Sequence, residues 1–123
     1  MKYSSNPKHA DNSLLKMSFS FAIDIARYAE NLEERKKWTL ANQLFRSGTS
    51  IGANAREAQN AESRVDFIHK LKIALKEAEE TEYWLFLCTE LFNDTETESL
   101  LAKVNELLRI LNSIIATTKN NQR

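Results

Sequence analysis

The sequence predicts an all-α protein, a single-domain antiparallel up-down bundle of four helices. Three observations point there. Four stretches of about 20–30 residues repeat apolar side chains at steps of three and four, the spacing that puts them on one helix face. The 123 residues hold only two glycines and one proline, too little turn material for many short elements. No stretch alternates apolar and polar residues as a half-buried strand does. A chain of this length suits one core, and long helices joined by short turns pack as antiparallel neighbours.

Residues 1–12 are polar, carry the single proline, Pro7, and read as a flexible N-terminal lead-in. The first helix runs from about Ser13 to Glu34, with Phe21, Ile25, Tyr28 and Leu32 on its apolar face. "ERKKW" is a charged connection, after which Thr39 is placed to cap a second helix from Leu40 to Asn60. Ser63 with Asp66 three residues on forms a capping-box pattern and opens a third helix over 64–92. "NDTETE" breaks the chain again, and Thr95 with Glu98 repeats the pattern before a fourth helix carrying Leu100, Val104, Leu107, Leu111 and Ile114. The bundle thus spans 13–118, and 119–123 form a polar tail.

Both glycines, Gly48 and Gly52, fall within the second helix and in the middle of its apolar face, beside Ala41, Leu44, Ile51 and Ala55. Each costs roughly 1 kcal/mol of helix propensity relative to alanine. Close approach of a neighbouring helix offsets that cost, so Gly48, Gly52 and Ala55 are assigned to helix close packing. A phosphate-cradling loop needs a preceding strand and a Gly-Lys-Ser/Thr run, and the stretch has neither. The opposite side of the helix gathers Gln43, Arg46, Ser50, Asn54 and Glu57, which suit either a solvated face or a hydrogen-bonded contact with another chain.

The third helix carries two apolar stripes. Phe67, Ile68, Leu71, Ala74, Leu75, Ala78, Leu85 and Phe86 fill one broad face, while Ile73, Trp84 and Leu87 lie on the other side with His69 and Glu80. One stripe suffices for a bundle core, and a second containing tryptophan predicts a contact between chains. Ser50, Asn54, Glu57, His69, Ile73, Glu80, Trp84 and Leu87 are therefore the candidate oligomer interface. Glu82 falls inside the core-facing stripe, and it either snorkels to the bundle end or meets a basic partner such as Arg64 or Arg27.

Catalytic and metal chemistry find little support. Di-metal bundles want two Glu-x-x-His pairs, and the chain offers only Asp66-x-x-His69, with its other histidine, His9, in the lead-in. Cys88 borders the core face and behaves as a small apolar residue. No nucleophile-elbow sequence occurs. We therefore expect no enzyme activity, no cofactor and no metal. Seventeen basic residues balance seventeen acidic ones, so no global charge draws the chain to nucleic acid or anionic membranes. A lone cysteine and the lack of a signal-like or membrane-length apolar run lead to a cytoplasmic expectation.

The stretch "RSGTSIGANAREAQNAESRVDFIHKLKIALKEAEETEYWLFL", residues 46–87, resembles the four-helix bundle family of 23S ribosomal RNA intervening-sequence proteins. Ser50, Ile51, Asn54, Glu57, Phe67, Ile68, Ile73, Ala74, Glu80 and Glu82 match the family's signature. Ala58 departs from it where glycine is common, as does Lys76-Glu77 where Gly-Ser is. The resemblance implies a small bacterial cytosolic bundle that assembles as a homopentamer and whose role is unknown. A related group, the accessory proteins of diversity-generating retroelements, binds nucleic acid and a reverse transcriptase through basic surfaces, and the zero net charge of this chain separates it from that group. The leading expectation is a non-enzymatic scaffold or adaptor; the alternative is a nucleic-acid-binding accessory protein.

Overall fold

The computed structural model describes residues 1–121; Gln122 and Arg123, the end of the expected tail, lie outside the described residues. Its helices are α1 (Ser13–Glu34), α2 (Trp38–Ala58), α3 (Arg64–Phe92) and α4 (Glu96–Asn120), preceded by a 3-10 turn at Pro7–His9. Each helix packs on the next in chain order and α4 closes against α1, an up-down bundle with no strand among the described residues. The last helix continues to Asn120, two residues beyond the expected bundle limit.

The expected lead-in is tied to the bundle. The Tyr3 hydroxyl donates to the carbonyl oxygens of His9 and Ala10, the Tyr3 ring sits 6.2 Å from that of Phe19, and His9 is buried. Aromatic burial and these two hydrogen bonds offset the entropy that a polar terminus otherwise retains.

Caps explain where the helices start. Asn12 accepts from the Leu15 amide and Ser63 from that of Asp66, each using an extended backbone to aim its oxygen at an unpaired N–H. The Asp66 carboxylate reaches back to the amide of Glu62, one residue before the cap.

Two expected caps are not used. Helix α2 begins at Trp38, ahead of Thr39, because α1 ends in a Schellman turn. Lys36 adopts φ 62°, its amide donates to the Glu33 carbonyl, and the Lys37 amide donates to that of Leu32. The chain has reversed by Lys37, and Thr39 is already helical. Thr95 makes no side-chain cap because its own dihedrals are helical, which turns its oxygen away from the following amides. The neighbouring Thr97 donates instead to the Asp94 carbonyl.

Helices α1 and α2 approach closely at Gly48. A Cβ built there would stand 2.6 Å from Ile25 Cγ2, and Ile25 is fully buried. A β-branched side chain in a helix has essentially one χ1 rotamer, so it cannot swing aside. At Gly52 an added Cβ would meet Ser18 Oγ at 3.1 Å, a contact that a small hydroxyl shift relieves.

The core holds mostly aliphatic side chains, with Phe21, Ile25, Leu44, Ile51, Leu71, Leu85, Leu107 and Leu111 at 2% exposure or less. The hydroxyls of Thr81 of α3 and Ser47 of α2 share a hydrogen bond across the core. Among the described residues no buried side-chain polar atom lacks a partner. Phe86, expected in the core, stands 53% exposed, because the α3 residues that face inward run through Ala78, Thr81, Leu85 and Cys88 and leave Phe86 on the outer flank.

Two substitutions separate tight from loose glycine packing. Gly48→Ala lowers stability in urea by roughly 1–2 kcal/mol, overpacking against Ile25 outweighing the gain in helix propensity. Gly52→Ala shows no loss. A third acts on the turn: Lys36→Gly raises stability by about 1 kcal/mol, since a left-handed residue with a Cβ carries a strain that glycine lacks.

Candidate functional site

Two of the residues singled out from the sequence, Glu80 and Trp84, meet at the seam between α2 and α3. At its centre Arg46 of α2 forks across to α3. It donates to Glu80 and, at 3.4 Å, to Glu77, and also reaches Gln43 on its own helix. The Trp84 indole N–H donates to the same Glu80 oxygen at 3.1 Å. Antiparallel α2 and α3 place these positions opposite one another, and the four-residue step from Glu80 to Trp84 stacks them on one side of α3.

The remaining candidates have different surroundings. Ser50 donates to the Arg46 carbonyl and Asn54 to that of Ser50, so their side chains bond within their own helix and are half-buried. Such back-bonding satisfies a polar side chain without a partner from elsewhere. Ile73, Trp84 and Leu87 are half-buried, with Trp84 packed against the core. Glu57 and His69 are exposed, Ala55 is fully buried, and Gly48 and Gly52 face α1. Glu82 is half-buried, and neither Arg27 nor Arg64 pairs with it among the described residues.

The second stripe of α3 is thus partly consumed inside the chain. A helix flanked by two neighbours presents an arc wider than one stripe, and residues at the arc's edge touch the adjoining helix. The large apolar side chains left in water are others. Trp38, Phe45, Tyr83, Phe86 and Leu91 are each more than half exposed. Of these, Phe86 was expected in the core stripe of α3 and Trp38 in the connection before α2, while Phe45, Tyr83 and Leu91 stand outside the expected stripes.

A second cluster, unmarked in the sequence, joins two turns at one end of the bundle. The Arg35 guanidinium grips Asp94 with both nitrogens, at 3.2 and 2.5 Å, and the Tyr28 hydroxyl donates to the same carboxylate at 2.7 Å. Arg35 and Lys37 lie over the Phe92 ring at 5.5 and 5.3 Å. Hydrogen bonding to Arg35 holds the Asp94 carboxyl below its ordinary range, and burial pushes the Tyr28 phenol well above its own. Burial likewise raises the Cys88 thiol, which is fully enclosed. An acid held ionised by two donors is a poor base, and an enclosed, protonated thiol is a poor nucleophile. The cluster is a clamp between the α1–α2 and α3–α4 connections.

Metal and membrane chemistry can be weighed on the same geometry. Asp66 is occupied as a cap and His69 points to solvent; among the described residues no three acidic, histidine or cysteine side chains gather as a metal site. No helix among them is long and apolar enough to cross a membrane. Lys72 and Lys119 converge between α3 and α4, and the repulsion of their like charges lowers Lys119 from the ordinary lysine value.

An up-down bundle with a bridged α2/α3 face defines a class of small helical proteins. The chain belongs to the family of 23S rRNA-intervening sequence proteins, whose family model matches residues 10–113. It is similar to a protein of unknown function from the S23 ribosomal protein family of Bacteroides thetaiotaomicron, known from a crystal structure at 1.70 Å. The two share 47% identity over 83% of this chain and 97% of that one, with a TM-score of 0.81. Neither description assigns an activity. No curated protein matches the chain.

The clamp yields a pH prediction. Asp94 has a lowered folded-state pKa, so its contribution is complete above the ordinary value of 3.8 and disappears as pH falls toward the folded-state value. Asp94→Asn costs about 1–3 kcal/mol at pH 7, from lost charge-assisted hydrogen bonds. It also flattens the acid limb of the stability curve, which thermal melts between pH 7 and pH 2 record.

Proposed function

We propose that the protein is a non-enzymatic homo-oligomeric bundle, pentameric as the resemblance implies, that serves as a scaffold or adaptor. The observation that carries this reading is the apolar surface left in water. Trp38, Phe45, Tyr83, Phe86 and Leu91 are each more than half exposed, although a buried core was available to them. Burying such a side chain is worth about 1.5–3 kcal/mol, and aromatic side chains are enriched at protein–protein surfaces. The α2/α3 face, with Ser50, Asn54, Glu57, Ile73, Glu80, Trp84 and Leu87, supplies the polar rim and half-buried edge of one such surface. The cytoplasm is the compartment that its single thiol suits.

The nucleic-acid accessory reading has less behind it. Arg46, central on the α2/α3 face, is already bonded to Glu77 and Glu80, which leaves its charge compensated.

Sedimentation equilibrium or light scattering at micromolar concentration tests the assembly. The expected mass is several times that of one chain, and a monomer overturns the reading.

A further inference from the structure

Between α1 and α2 lies a groove that the bundle leaves unfilled. Leu15, Ser18, Phe19, Ala22, Thr49, Gly52, Ala53 and Arg56 line it, Tyr3 walls one end, and its volume is about 260 Å³. The small residues Ala22, Gly52 and Ala53 make it open, and it is apolar except for Arg56. No carboxylate pairs with Arg56 among the described residues; its guanidinium donates to the Tyr3 carbonyl at 3.5 Å. The volume lies below the range of about 300–1,000 Å³ typical of small-molecule pockets, and suits a single aromatic side chain.

A matching feature stands on α3. Glu79, Tyr83, Phe86 and Glu90 recur at steps of four, three and four, which places them on one outward stripe, and all four are exposed. Two aromatics flanked by acids that form no ion pair among the described residues make a ridge whose charge is opposite to that of the groove. The ridge cannot reach the groove of its own chain, because α2 separates α3 from the α1/α2 seam.

We propose that the ridge of one copy docks in the groove of the next, with Tyr83 or Phe86 between Phe19 and Ala53 and an acid of the ridge against Arg56. This rests on the homo-oligomer reading and names its contact. Groove and ridge are different surfaces, so the interface is heterologous: each copy gives a ridge to one neighbour and a groove to the other, and a closed set of such contacts is a ring. One contact thereby covers the apolar groove, two exposed aromatics and an unpaired guanidinium.

Two single variants and their mixture test it. Ala53→Glu puts a carboxylate in the mouth of the groove, and Tyr83→Glu blunts the ridge; both positions are exposed and helical, so circular dichroism should retain the wild-type fold. Each variant alone should associate at least roughly tenfold more weakly than wild type, as loss of an interface anchor does. Mixed, they should form a dimer and nothing larger, since the intact ridge of one fits the intact groove of the other and the remaining ends are blocked. Arg56→Glu should weaken assembly and Glu79→Lys with Glu90→Lys should restore it. If wild type is oligomeric and both single variants keep its mass, the groove is not the contact, whatever else occupies it, and the assembly reading stands. If the variants weaken assembly but their mixture does not dimerise, the head-to-tail pairing is wrong. A monomeric wild type overturns the assembly reading and this contact with it.

Discussion

The arrangement of the bundle depends on how near α2 can come to α1. Gly48 sets that distance, because any Cβ at this position would strike the γ-methyl of Ile25, which has no other rotamer to adopt. The backbones meet there over a bare patch, and the core aliphatics on either side, from Leu14 to Leu32 in α1 and from Ala41 to Ala58 in α2, are brought into register by it. One turn further along, Gly52 has the opposite effect. An added Cβ there would still touch Ser18 of α1 at 3.1 Å, but beside that contact its missing side chain leaves a groove open to solvent. Two residues of one type, four positions apart, thus close one part of a seam and open the next.

The α2/α3 seam is held differently. Between Arg46, Glu77, Glu80 and Trp84 the contact is polar at its rim, and beneath it Ser47 and Thr81 share a hydrogen bond inside the core. The ion pairs are partly exposed, so each contributes at most about 1 kcal/mol. Their effect is on register: a fork that reaches two acids one turn apart fixes how α2 slides along α3. Apolar packing supplies the stability of the bundle, and these polar groups select one alignment among those that packing would tolerate.

The four helices were legible because their signals are local. Apolar periodicity, Ser63 with Asp66, and the scarcity of glycine and proline all act within a few residues. The glycines' inward orientation followed from a helical wheel for the same reason. The failures share another cause. Thr39 looked like a cap because nothing in "ERKKW" announces that a lysine will take the left-handed position glycine normally fills. Phe86 was placed inward and Trp84 outward because a wheel knows one helix axis and not the positions of two neighbours. The clamp of Tyr28, Arg35 and Asp94 joins residues about sixty positions apart and left no trace in any short window. The ion pairs of Arg46 with Glu77 and Glu80 likewise required the fold.

That clamp gives the bundle two unlike ends. At one, the α1–α2 and α3–α4 connections are tied together through a single carboxylate, with two cations over Phe92 above it. At the other lie the N-terminal segment, the five-residue passage from α2 to α3, and the last turn of α4 with its lysine beside Lys72. Thermal opening is therefore directional. The helices part from the terminal end toward the clamped one, as a book opens away from its spine, and the amides nearest Asp94 are the last to meet water.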